Sequence, residues 1–189
     1  MSYRLSVPRF RCIEDRRGIA AAELAILAPV VIVLMMGVGE LGQRLLINQR
    51  LSTAASRIGD LITHETSLTA NRLATVFDAA SRLINQDDFA NDGTVIITGI
   101  GGEPGGVRRV LWQERGTGTL DEQSRIGTPG QVANLPADLT IAAGRTVVAV
   151  EIFYHRQSLF GFMLPNDTIV KTSIHRGRTG ELPAIAPDT

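Results

Sequence analysis

Polar and apolar positions follow three regimes along the chain. From Leu24 to Gly39 no side chain is polar, and the apolar block opens at Ile19. Taken as helix from Ile19 to Leu41, it measures about 34 Å at about 1.5 Å per residue, against about 30 Å of bilayer hydrocarbon. Past it, Leu45, Leu51, Ala54, Ala55, Ile58, Leu61 and Ile62 recur at helical spacing, while Gln43, Arg44, Gln49, Arg50 and Arg57 fill much of the other face. The spacing predicts that the apolar helix runs on to about Asp60 as an amphipathic stem, with Gly59 its weak point. A second amphipathic helix is predicted over Leu68–Ile84, burying Leu73, Val76, Phe77, Ala80, Leu83 and Ile84.

The period then changes to two. Residues 94–100 and 107–114 read as strands joined across the glycine-rich turn 101–106. Residues 146–154 form the strongest strand, with Val148, Val150, Ile152 and Tyr154 on one face and Val147, Ala149, Glu151 and Phe153 on the other. Residues 168–175 make a fourth. The long connection 116–144 is polar and rich in Gly and Pro, with room for a short helix. The fold class expected is α+β: a long N-terminal transmembrane helix with an amphipathic extension, a second helix and a small antiparallel sheet of about four strands.

Composition narrows the function. Of 189 residues, 44% are hydrophobic and 20% charged, which excludes wholesale disorder. Lys+Arg and Asp+Glu are both 19, so no basic excess is available for neutralising nucleic-acid phosphates. The single Cys12 excludes an intrachain disulfide and a cysteine zinc cluster. Charge is uneven, however. Arg4, Arg9, Arg11, Arg16 and Arg17 stand against Glu14 and Asp15 before the apolar block, which places that end in the cytoplasm. Arg44 and Arg50 on the far side weaken that bias, with Glu40 partly offsetting Arg44.

An ordinary anchor or cleavable signal explains the apolar block but not Glu23, a carboxylate five residues into it. Such a group costs about 2.5–3.5 kcal/mol at mid-membrane, less near the interface, and usually has a partner. Pro29 removes one intrahelical hydrogen bond, to the carbonyl of Ala25, and should bend or loosen the helix.

The string Arg16-Arg17-Gly18, followed by Ile19-Ala-Ala-Ala-Glu23-Leu-Ala-Ile-Leu-Ala-Pro29, resembles a prepilin leader and the N-terminal signature of TadE-like pseudopilins of the tight-adherence (Flp) pilus system. The strand 147–154, then Leu159-Phe160-Gly161 and the basic Arg176-Gly177-Arg178, are similar to the same family's closing pattern. Leu24 stands where that family commonly has an aromatic residue. The resemblance implies a pilin-like layout: a cytoplasmic leader over 1–18, a transmembrane helix and start of stem over 19–46, and a periplasmic domain over 47–189. It implies cleavage between Gly18 and Ile19 by a prepilin peptidase that reads Arg16 and Arg17. It also implies that Glu23 meets the new Ile19 amine of a neighbouring subunit, two buried charges offsetting each other.

Other chemistries do not find their residues. Pro104 breaks a dinucleotide-binding glycine pattern, and no phosphate-binding loop exists around the only lysine, Lys171. His64-Glu65 lacks the second histidine of a zinc helix. His155 and His175, though placed near Glu151 in a sheet, make a weak metal set. No serine elbow is present, Cys12 lies in the leader, and the pairs Asp87-Asp88 and Asp121-Glu122 read as solvated. The expectation is a non-enzymatic minor pilin-like protein without cofactor or nucleic-acid partner. It acts in pilus initiation, assembly or capping, and so in surface attachment and biofilm formation. Its partners are the inner membrane, other pilins and pseudopilins through the N-terminal helix, the prepilin peptidase and the pilus assembly platform. The rival is a bitopic inner-membrane protein whose periplasmic domain binds a ligand or catalyses a hydrolysis. An intact N-terminus, or a filled polar pocket between the sheet and loop 116–144, favours the rival.

Overall fold

A computed structural model describes residues 16–64, 69–84, 88–161 and 164–177. One helix, α1, runs from Arg16 to Thr63 without a break at Pro29 or Gly59. It is followed by α2 (Ala70–Ile84), α3 (Phe89–Asp92), β1 (Gly93–Gly102), β2 (Arg108–Gly116), β3 (Thr146–Arg156) and β4 (Asp167–Arg176). The strands form one antiparallel sheet in the order β2-β1-β3-β4. The α+β class expected from the sequence is what forms. The predicted start of the second helix, Leu68, lies outside the described residues, as do Glu65, Asp87 and Arg178.

The sheet carries a layer on each face. On one lie α1 and α2: Ile47, Leu51, Ala54, Ala55, Ile58 and Ile62 pack with Leu73, Val76, Ala80 and Ile84 onto Val148, Val150, Ile152 and Tyr154. Fully burying each Ile, Leu or Val among them is worth about 1.5–3 kcal/mol. The buried stripe of α1 differs from the expected one at three positions. Ile47 enters it, whereas Leu45 and Leu61 stay exposed: about 100° of turn per residue puts Leu45 on the side opposite Ile47, and Leu61 lies at the edge of the stripe, lining the open α1–α2 groove.

On the other face lies the connection between β2 and β3. No helix forms there, contrary to the room left for one. Its glycines and prolines keep it in turns, and Ile126, Ala133, Leu135 and Ile141 drop singly onto Ile100, Val110, Val147 and Ala149. Polar contacts stitch the path: Arg108 donates to the carbonyls of Pro136 and Leu139, and Gln113 to that of Gly127. With both faces covered, β3 is buried almost throughout, which explains its near-continuous apolar sequence. At the β1–β2 hairpin, Gly105 and Gly106 adopt φ of +83° and +79°, a backbone conformation that favours glycine.

Candidate functional site

The residues singled out by the sequence all lie on the N-terminal half of α1. Gly18, Ile19, Glu23, Leu24 and Pro29 are exposed, and nothing lies within 4 Å of where a Gly18 side chain would begin. Arg16 and Arg17 form the start of the helix, while the rest of the leader, with Cys12, lies outside the described residues. Glu23 makes no hydrogen bond or ion pair among the described residues. The most apolar stretch of α1 is long enough to cross a membrane and is not buried against the rest of the chain. What this half of the helix can do is insert into lipid or pack against other helices, and it carries one carboxylate, Glu23, with no partner among the described residues.

Where the apolar run ends, the helix is fastened to the sheet by a group that sequence reasoning missed. Alternation along β3 continues past Tyr154 and puts Arg156 on the helix side. Its Nη1 donates to Glu40 Oε1 at 2.6 Å, and both residues are 0% exposed. Its Nε donates to Asp167 Oδ1 at 3.1 Å and its Nη2 to the Pro165 carbonyl at 3.0 Å. The other Glu40 oxygen accepts the Leu159 N–H at 3.0 Å, and Arg44 Nη2 reaches Asp167 Oδ2 at 2.7 Å. Glu40 therefore does not offset Arg44, as its sequence position had indicated. Each finds its partner in the sheet, because the short i,i+4 route would leave the Nη1 of the buried Arg156 without an acceptor and only Asp167 to balance its charge. A buried ion pair persists when its remaining donors and acceptors are also filled, and here they are.

A second fastening lies further along α1. His175 Nδ1 is 3.1 Å from Asp60 Oδ1, its Nε2 is 2.7 Å from Ser173 Oγ, and Ser173 Oγ is 3.5 Å from Ser56 Oγ. Gly59 is not a weak point but the clearance for this imidazole: a Cβ there would lie 2.1 Å from His175 Cδ2. The order Ser–His–Asp matches the relay of a serine hydrolase. The hydroxyl, however, is turned toward α1, and none of the three cavities described below is lined by these residues. His155 is elsewhere, at the opposite end of the β3–β4 ladder, 3.4 Å from Thr168 Oγ1. The two histidines are thus not brought together.

Under the β2–β3 connection, the Glu151 carboxylate accepts the Arg125 N–H at 3.0 Å and a hydrogen bond from the Ser124 hydroxyl. Burial pushes its pKa up, against the pull of these donors and of the Arg125 charge. A cavity of about 300 Å³ lies beside it, lined by Arg125, Asn134, Glu151 and Thr172 among others. Two more, of about 380 and 310 Å³, lie at the α1–α2 groove and at Thr140–Val147 beside Arg176. Among the described residues, no three of His, Cys, Asp and Glu are grouped to hold a metal ion.

A family model described as TadE-like protein matches residues 18–59. The match starts at the glycine before Ile19 and takes in Glu23, Glu40 and the stem as far as Gly59. No curated protein matches the chain, and no solved structure does.

Proposed function

From the TadE-like segment over residues 18–59, we propose that this chain is a minor pilin-like protein of a tight-adherence (Flp) pilus. It is held in the inner membrane by α1 with its N-terminus in the cytoplasm and its α+β domain in the periplasm. It acts in pilus initiation, assembly or capping, and so in surface attachment. The observation that carries the reading is the family match over a helix that leaves its apolar half bare with Glu23 unpaired. A prepilin peptidase cuts between Gly18 and Ile19, releasing a protonated amine that the Glu23 carboxylate of a neighbouring subunit receives inside a bundle of apolar helices. The other pilins, the pseudopilins and the assembly platform are its partners through this helix.

The test has two readouts on one variant. The mature N-terminus, read by mass spectrometry, should be Ile19 in wild type and in Glu23→Gln alike. Surface piliation in a complemented deletion strain should fall only in Glu23→Gln, because glutamine keeps the size but not the charge. Normal piliation by a cleaved Glu23→Gln protein rules out the register role, and an intact leader in cells carrying the peptidase rules out the processing. The cavity beside Glu151 favours a second reading, a periplasmic ligand-binding or hydrolytic domain, to which the Ser173 hydroxyl, turned toward α1 and away from the described cavities, adds nothing. Only covalent labelling by a fluorophosphonate that disappears in Ser173→Ala would bring that hydroxyl into it.

A further inference from the structure

The end of the apolar run and the β3–β4 connection meet at one level of the molecule. The Leu159 N–H is bonded to Glu40, and the Phe160 ring lies 3.9 Å from where a Gly39 side chain would begin. Leu159 and Phe160 are 54% and 38% exposed, two large apolar side chains at the tip of a turn. Among its described residues the turn is held by hydrogen bonds: Asn166 Oδ1 accepts the Ser158 N–H at 2.9 Å, and Ser158 Oγ accepts the Gly161 N–H at 2.9 Å. Behind it, Arg156, Asp167, Arg44 and Glu40 are turned toward one another, so the charges beside this tip are already matched.

The level follows from the helix. Gly18 to Gly39 spans about 33 Å at about 1.5 Å per residue, close to the thickness of a hydrocarbon core of about 30 Å. A side chain packed on Gly39 therefore lies at the boundary between hydrocarbon and headgroups on the domain side. Phe and Leu are residues that amphipathic segments bury at that depth, and exposed apolar side chains that lead on from a membrane-length helix have lipid as their natural neighbour. We propose that Leu159 and Phe160 are a second membrane contact, seated in the interfacial layer beside α1. The domain then rests on the bilayer at two points, the helix and the β3–β4 turn. This rests on α1 spanning the membrane.

The experiment uses the full chain with Cys12→Ser, reconstituted in phosphatidylcholine–phosphatidylglycerol vesicles and carrying one nitroxide at a time. Phe160→Cys reports the turn, Leu34→Cys the apolar run, and Val132→Cys the opposite end of the sheet, where Val132 is 61% exposed. Collision with oxygen against collision with a water-soluble nickel chelate gives the depth of each label. The expected order is Leu34 deepest, Phe160 intermediate and shielded several-fold from nickel, and Val132 in water. Leu159→Cys repeats the measurement on a less packed side chain in case Phe160→Cys disturbs the fold. A turn label as open to nickel as Val132, with Leu34 shielded, overturns the proposal and leaves the span intact. Leu34 in water overturns both. Shielding of Phe160 that vanishes on dilution with lipid assigns the turn to a neighbouring subunit and overturns the lipid contact.

Discussion

Arg156 is a cation with no access to water, tolerated because Glu40, Asp167 and the Pro165 carbonyl take up its donors. Taking away one member of such a pair typically costs about 3–5 kcal/mol, whereas replacing both by apolar groups is often close to neutral. Glu40→Leu should therefore destabilise the domain, stranding Arg156, and the double variant Glu40→Leu/Arg156→Leu should recover most of the loss. Thermal melts in detergent check this, and a double variant no better than the single would mean that the pair contributes more than its own neutralisation. Glu151 gives the opposite kind of dependence. Burial raises its pKa above the value of about 4.3 for an unfolded chain, so the folded state keeps its proton to higher pH than the unfolded one. Its contribution is therefore complete below the unfolded value and is lost as pH rises through the folded value. Stability should decline over that window in wild type and decline less in Glu151→Gln, read by denaturant midpoints at several pH values. Alternation alone places Arg156 on the helix side of β3. Its partner 116 residues away is not legible in any local pattern, and so Glu40 looks in sequence like a neighbour for Arg44.

Among the elements, the seam between α1 and β4 is the most informative. Odd-numbered residues of β4 face the helix, so that Asp167 meets Arg44, Ser173 meets Ser56, and His175 meets Asp60 over Gly59. Gly59→Ala improves intrinsic helix propensity by about 1 kcal/mol, yet its methyl would collide with the imidazole. Overpacking typically costs about 1–3 kcal/mol, so after the propensity gain the net effect should be destabilising by up to about 2 kcal/mol. In a His175→Ala background the same change should become stabilising, and an unchanged sign there would mean that the clash is not the cause. Propensity explains why the sequence pointed to a weak spot at Gly59: it counts what glycine costs the helix and cannot count what a missing side chain admits. The strands were legible because period-two runs and the Gly101–Gly106 turn are local signals. The β2–β3 connection was not, since Ile126, Ala133, Leu135 and Ile141 reach the sheet one at a time, at spacings that match neither a helix nor a strand.

At the scale of the molecule, the folded unit begins earlier than the composition does. Removing residues 1–46 takes away the apolar block, as expected for a water-soluble fragment, but also removes Glu40 and Arg44, so that Arg156 loses one of its two carboxylates and the helix turn that covers it. A chain beginning at Gly39 should melt higher than one beginning at Ile47, both measured without detergent, and equal melting temperatures would place the fastening outside the domain's stability. The continuity of α1 has a mechanical meaning. Arg16 to Thr63 is one helix, bonded to the sheet near Glu40 and again near Asp60, so it works as an axle keyed to its wheel. At 3.6 residues per turn, a neighbour that engages one residue higher meets a face rotated by about 100°. On the proposed pairing, the choice of which neighbour residue meets Glu23 would then decide which side of the domain is turned outward.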